Sequence, residues 1–179
     1  LFAARPVLAA FAAMGALWGT FAAVLPDIKT QLGLNEAELG FLMLLTPLAA
    51  VSAMLVAPAL GAAMGRVALP VAAALMALSF ALPAQFHQPM LFALVMMGCG
   101  AATGLTDVLM NARTATLENS RQVSLMNLAH AAYSFGYFAG AMATGAMRSA
   151  AWSPAQVMAT SALMAGLLAL VTYERDGTI

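Results

Sequence analysis

Few residues in this sequence could do chemistry, and most of them fall in two neighbouring stretches. One, from Gly100 to Thr114, holds Asp107 and Asn111; the other, from Asn127 to Thr144, holds Asn127, His130, Ser134 and Tyr137. On a helix, side chains advance by about 100° per residue. Gly100, Thr103, Gly104, Asp107, Asn111 and Thr114 then share one arc, and Asn127, His130, Ser134, Tyr137 and Thr144 share another. A carboxyl, an imidazole and amides on otherwise apolar helices are suited to loading a proton or holding a polar solute. An intramembrane carboxylate costs about 2.5–3.5 kcal/mol on insertion scales, which marks such a group as functional by default. If a short loop joins the two stretches, Asp107 and His130 lie at similar depth and can pair. The competing reading is structural, with Asp107, Asn111 and Asn127 hydrogen-bonding the helices together. Ser134 has two readings: its hydroxyl bonds back to the carbonyl of His130, or it forms a Ser–His nucleophile. The second lacks a Gly-x-Ser-x-Gly turn and puts both groups on one helix. Trp18, on a face with Phe11, Ala22 and Leu25, either stacks on a solute such as a sugar ring or simply packs.

The surrounding composition explains why these groups stand out. Of 179 residues, 63% are hydrophobic and 8% charged, with a mean hydropathy of +0.90. A soluble domain carries about 25% charged residues, so a water-soluble globular protein is excluded. Seven Lys and Arg against seven Asp and Glu leave net zero charge, with no basic stripe for nucleic acid. A single cysteine, Cys99, excludes a disulfide framework and a Cys-based metal site. The fourteen methionines are scattered and read as gap-fillers in apolar packing rather than copper ligands. No metal or other cofactor is expected. The chain reads as an all-α integral membrane protein embedded in the lipid bilayer.

A spanning helix needs about 20 mostly apolar residues. Six stretches qualify: 6–25, 38–60, 67–83, 90–111, 123–147 and 154–173. The runs are too long and too uniformly apolar for barrel strands. Asn35, followed by Glu36 and Glu38, predicts a helix start, and Ser153-Pro154 predicts another. Pro26 and Pro47 are expected to bend or end their helices. Trp152 reads as an interfacial anchor. The third and sixth spans carry nothing more polar than Ser and Thr and are expected to face lipid. The fourth and fifth are expected to face a protein interior or a water-filled cavity. Gly136 and Gly140 suit a close helix approach. Arg5 before an apolar run superficially resembles a signal peptide. The run leads into Pro26-Asp27-Ile28-Lys29 rather than a small-residue cleavage site, so a first membrane helix is expected. With the N-terminus inside, Arg5, Arg66, Arg113, Arg121 and Arg175 are cytoplasmic and only Lys29 and Arg148 are outside, as the positive-inside rule asks. Both termini are then cytoplasmic. The sequence opens at Leu1 rather than Met, so a fragment of a longer chain is expected.

The residues also resemble a known family. Leu34-Asn35-Glu36-Ala37-Glu38-Leu39-Gly40 resembles the outer loop and second-helix start of the major facilitator superfamily. Leu60-Gly61 and Gly65-Arg66 sit where that superfamily carries its Gly-x-Leu-Ala-Asp-Arg-x-Gly-Arg loop, with Ala62 and Ala63 in place of the usual Asp and Arg. Gly104-Leu105-Thr106-Asp107-Val108-Leu109-Met110-Asn111 and His130-Ala131-Ala132-Tyr133-Ser134-Phe135-Gly136 are similar to a pattern of the fucose-permease-like branch. The resemblance implies the N-terminal half of a twelve-helix transporter, a six-helix bundle with a 3+3 inverted repeat, in a bacterial inner membrane. It further implies a second six-helix half as partner, with a homodimer as the other route. Glu174-Arg175-Asp176-Gly177 would then begin the linker between halves. The fifth helix lacks the Gly-Pro motif of drug antiporters, since Gly140 to Gly145 contain no Pro, which implies uptake by symport.

The expected function is therefore secondary transport of a small polar solute, with a sugar favoured, driven by a proton. Asp107, His130, Asn111, Trp18, Asn127, Ser134 and Tyr137 are the candidate binding or coupling residues. Two other readings stay open: a six-helix scaffold without transport, and an intramembrane hydrolase using Ser134.

Overall fold

The computed structural model describes residues 4–175 and residue 177; Leu1 and Asp176 lie outside the described residues. Among these the backbone forms seven α-helices and no strand: α1 Arg5–Leu32, α2 Glu36–Met43, α3 Leu45–Met64, α4 Ala68–Phe80, α5 Pro89–Arg121, α6 Met126–Ser149 and α7 Pro154–Val171. Four helical stretches are long and apolar enough to cross a membrane: Arg5–Leu32, Glu36–Gln85, Pro89–Arg121 and Pro154–Val171. The 50-residue stretch Glu36–Gln85 is interrupted at Gly65, whose φ of 55° and ψ of −129° suit glycine. Polar residues dilute α6, which is 24 residues long but falls outside that group of four.

Local chemistry accounts for most helix ends. Asn35 accepts from the Glu38 N–H at 2.9 Å, and Glu38 Oε2 accepts from the Asn35 N–H at 2.9 Å. Ser153 and Gln156 form the same reciprocal cap before α7. Two boundaries depart from the hydropathy reading. The first helix does not end at residue 25; it passes through Pro26 to Leu32, where Gly33 closes it with φ 66°. Proline removes one backbone bond there, while Val24, Ile28 and Leu32 stay buried and hold the helix on the bundle. The fourth span likewise continues past residue 111 to Arg121 and absorbs most of the expected loop. Thr114–Arg121 is too polar to be read as membrane-spanning, yet Ala115, Leu117 and Glu118 suit a helix. One residue, Leu44, separates α2 from α3, one turn before Pro47.

Two close parallel helix pairs organise the bundle. On α1 and α6, a Cβ added at Gly15 would lie 2.0 Å from the Tyr133 carbonyl oxygen, and one at Gly140 2.3 Å from that of Ala16. The expected Gly136–Gly140 approach is therefore real and meets Ala12 and Ala16 of α1, which adds Gly15 and Gly19 of its own. On α3 and α5, Gly100 meets the Thr46 carbonyl and Gly104 that of Ala50 in the same manner. Helices α4 and α7 pack on each other and close one side of the core against α1 and α5. There Trp18, Phe21 and Phe80 stack edge to face.

The spans expected to face lipid, α4 and α7, each bury one side, with Ala72, Met76, Val157 and Met158 fully covered, and expose Leu78 and Leu163 on the other. The broadest open faces belong to α3 and α6. Along α6 only Ala129, Gly136, Gly140 and Thr144 are buried, while Phe135 is 73% exposed. Ion pairs tie the ends. Arg148 grips both Asp27 oxygens at 2.9 Å, and Lys29 pairs with Glu36 at the same end. At the other end Arg113 makes two bonds to Glu174, at 2.9 and 3.2 Å.

Candidate functional site

The polar groups of α5 and α6 meet on the open side of the bundle, over α1. Asp107 is partly buried on α5. One turn on, Asn111 Nδ2 donates to the Asp107 carbonyl at 2.9 Å and to its Oδ1 at 3.2 Å. This (i, i+4) contact orients the carboxyl and leaves Oδ2 with no hydrogen bond to any described residue. His130, exposed on α6, sets its ring against the edge of Phe11 of α1, with centroids 5.2 Å apart at 78°. The carboxyl and imidazole lie within electrostatic reach, but they form no ion pair among the described residues. The expected direct pairing is thus not made. Helices α5 and α6 touch each other only sparsely, each packing mainly on another helix.

The remaining candidates divide. Ser134 donates to the His130 carbonyl at 3.1 Å, the back-bonded arrangement of a helical serine. Its proton therefore points along the helix and not to the imidazole. Tyr137 lies on the same face, exposed, its ring 6.4 Å from that of Tyr133. Asn127 is exposed at the first turn of α6. Trp18 is partly buried on α1 and packs edge to face against Phe21 and Phe80. An apolar groove of about 410 Å³ between α4 and α7, lined by Ala77, Leu78, Ala162, Leu163 and Gly166, is also remote from the polar groups.

Tyr133 is not among the residues singled out by sequence. It lies three residues after His130 and four before Tyr137, at the edge of the same arc, and it is partly buried. Its phenol is within electrostatic reach of Asp107. The signal was the spacing: at 100° per residue Tyr133 falls just beyond the arc that holds His130, Ser134 and Tyr137.

Chemically, the face offers one carboxyl, one imidazole and neutral amides and hydroxyls. The neighbouring cation, Arg113, is turned into its bond with Glu174. Among the described residues no three His, Cys, Asp or Glu side chains gather to hold a metal ion. Such a face can take up and release a proton and hydrogen-bond a neutral polar solute.

No family model matches the chain, and no solved structure matches it. The chain is similar to an uncharacterized MFS-type transporter of Yersinia pestis, 31% identical over 161 residues. That match takes in 89% of this chain and 42% of the relative, so the chain spans less than half the length of the transporter it matches. Over most of its length, the chain is thus similar to part of a membrane transporter of the major facilitator type, which supports a transporter role.

Proposed function

We propose that this chain is the N-terminal six-helix bundle of a proton-coupled secondary transporter that takes up a small polar solute, a sugar being the favoured class. The observation that carries this reading is the cluster of Asp107, Asn111, His130 and Tyr137 on an open face in the half of the bundle nearer the α5–α6 turn. In hydrocarbon each exposed polar group would lack a partner. A water-filled cavity shared with a second bundle resolves that conflict, and alternating access then rocks one bundle against the other. The length of the Yersinia pestis relative leaves room for a second bundle.

Six spans follow if α2 and α3 count as one bent helix and α6 spans because its polar face meets water. Packing supports a 3+3 repeat in that count. Exchanging spans one, two and three for four, five and six maps the α1–α6 pair onto the α5–α3 pair, and α1–α7 onto α5–α4. The lack of a Gly-Pro motif between Gly140 and Gly145 supports symport, and the branch-level likeness of the α5 and α6 motifs supports a sugar. Arg5, Arg66, Arg113, Arg121 and Arg175 at one end against Lys29 and Arg148 at the other is the asymmetry that supports an inner-membrane protein with both termini cytoplasmic.

The test is uptake into proteoliposomes that hold this chain together with its second bundle, under an inward proton gradient, with a panel of sugars, amino acids and nucleosides. Asp107→Asn is expected to abolish pH-driven accumulation while leaving the protein inserted and folded. Undiminished accumulation by that variant would remove Asp107 from coupling. A scaffold role is favoured instead if no solute is moved and Asp107→Asn disrupts assembly.

A further inference from the structure

From Leu39 to Thr106 the sequence holds one Asp, Glu, Lys or Arg, and it is Arg66. Arg66 is exposed on the turn Gly65–Val67 that joins α3 to α4. Every acid among the described residues is already engaged. Asp27, Glu36 and Glu174 pair with Arg148, Lys29 and Arg113. Glu38 and Glu118 accept backbone N–H groups, and Asp107 accepts from the Asn111 amide. Arg66 forms no ion pair among these residues. Ala62 and Ala63 stand just before it, in place of the Asp and Arg of the motif that this loop resembles. The turn thus presents a cation to the membrane surface with no counter-charge from the described chain.

Both helices that leave this turn wall a groove. Helices α3 and α4 pack on α5 and only sparsely on each other. Between them lies a space of about 340 Å³, bounded by Val56 and Leu60 of α3, Leu75 and Ser79 of α4, and Gly98 and Leu105 of α5. It is apolar, since the Ser79 hydroxyl is spent on the Met76 carbonyl at 2.8 Å. Leu60 stands six residues before Arg66, about 9 Å along a helix. At 100° per residue, Gly98 and Leu105 lie about 160–180° round α5 from Asp107. The groove therefore opens away from the polar face, on the side where Val56 and Leu75 are half exposed to lipid. We propose that the groove and Arg66 together hold one anionic phospholipid of the phosphatidylglycerol type. One acyl chain lies between α3 and α4, and the Arg66 guanidinium bonds the phosphate, whose oxygens match its planar fork. Any acyl chain can fill the groove, so the head group decides which lipid stays. A net negative one supplies the missing counter-charge, whereas choline already neutralises its own phosphate.

The experiment is native mass spectrometry of the full chain released from detergent, titrated with phosphatidylglycerol and with phosphatidylcholine of the same acyl chains. One phosphatidylglycerol is expected to bind about tenfold more tightly than phosphatidylcholine, the scale of one charge-assisted hydrogen bond. Arg66→Gln should remove that preference and Arg66→Lys should keep part of it. Arg121→Gln, which removes another exposed cation at the end of α5, should leave it intact. Gly98→Leu fills the groove, where an added Cβ meets nothing within 4 Å, and should weaken both lipids alike. Equal binding of the two lipids in the wild type overturns the proposal, as does a preference that survives Arg66→Gln or is lost equally in Arg121→Gln. Binding that Gly98→Leu leaves unchanged overturns the place of the acyl chain, independently of how the Arg66 variants behave. A preference that disappears when the chain is joined to its second bundle gives Arg66 to an acid of that bundle and also overturns the proposal.

Discussion

Among single residues, the chain's charges differ widely in what they contribute, and burial decides which matter. The side chains of Arg113 and Glu174 are 9% and 18% exposed and joined by two bonds. Breaking a fully buried pair costs about 3–5 kcal/mol because the remaining charge is stranded. Glu174 keeps some access to water, so Glu174→Gln is expected to cost less, about 1–3 kcal/mol. The Lys29–Glu36 pair is open, with Glu36 83% exposed, and Lys29→Ala should change stability by under about 1 kcal/mol. Thermal unfolding of the two variants in the same detergent checks the order. Glu118, beyond the apolar run of α5, is different again. The N–H groups of Met126 and Leu125 bond its carboxylate and hold it below the usual Glu range. A depressed folded value stabilises above the ordinary Glu pKa and is lost as pH falls through the depressed one. The α5–α6 turn should therefore loosen in acid, below about pH 4. Proteolysis of residues 122–125 should rise there in the wild type, and at neutral pH in Glu118→Ala.

At the scale of elements, glycine placement separates contacts that build the bundle from open surface. A Cβ at Gly15 or Gly104 would collide with backbone of the partner helix, at 2.0 and 2.3 Å. Gly15→Ala and Gly104→Ala should each destabilise by about 1–3 kcal/mol, because backbone cannot move aside as a flexible side chain does. Gly98, on the same helix as Gly104, faces open space. There Gly98→Ala should stabilise by up to about 1 kcal/mol through helix propensity alone. Opposite signs from two substitutions on one helix, read by thermal unfolding, test the packing directly. The same distinction governs what was legible in the sequence. The caps at Asn35 and Ser153 were readable because their chemistry is complete within four residues. The Gly136–Gly140 approach was readable as a spacing, but its partners Ala12 and Ala16 on α1 were not, since nothing local says which helix answers. The α5 extension to Arg121 escaped because loss of hydrophobicity marks where a membrane ends and not where a helix does. Trp18 could be read as solute platform or core, and only the arrival of Phe80 from α4 shows what it touches.

For the whole molecule, the question is what covers the two kinds of exposed face. Leu163 on α7 is 65% exposed, among apolar neighbours such as Leu167 and Leu170, and lipid satisfies that side. The α6 face mixes exposed Phe135 and Phe138 with Asn127, His130, Ser134 and Tyr137, and lipid cannot satisfy both sets. If that face borders an aqueous cavity, its polar strip should be reached by hydrophilic reagents from solution, and the apolar strip of α7 should not. Cys99 is the single native cysteine and is buried, so Cys99→Ser gives a silent background with little change in volume. Single cysteines at Ser134 and Leu163 then compare the faces in intact membranes. A charged, membrane-impermeant thiol reagent is expected to label Ser134→Cys and not Leu163→Cys. A small apolar maleimide, which enters lipid freely, should make the same distinction, because a thiol in lipid stays protonated and unreactive whatever reaches it; thiolate formation, and hence water, is the variable being read. Equal silence at both positions would put the α6 face in lipid or under protein. The polar strip would then serve helix assembly, and the transport reading would lose the cavity on which it depends.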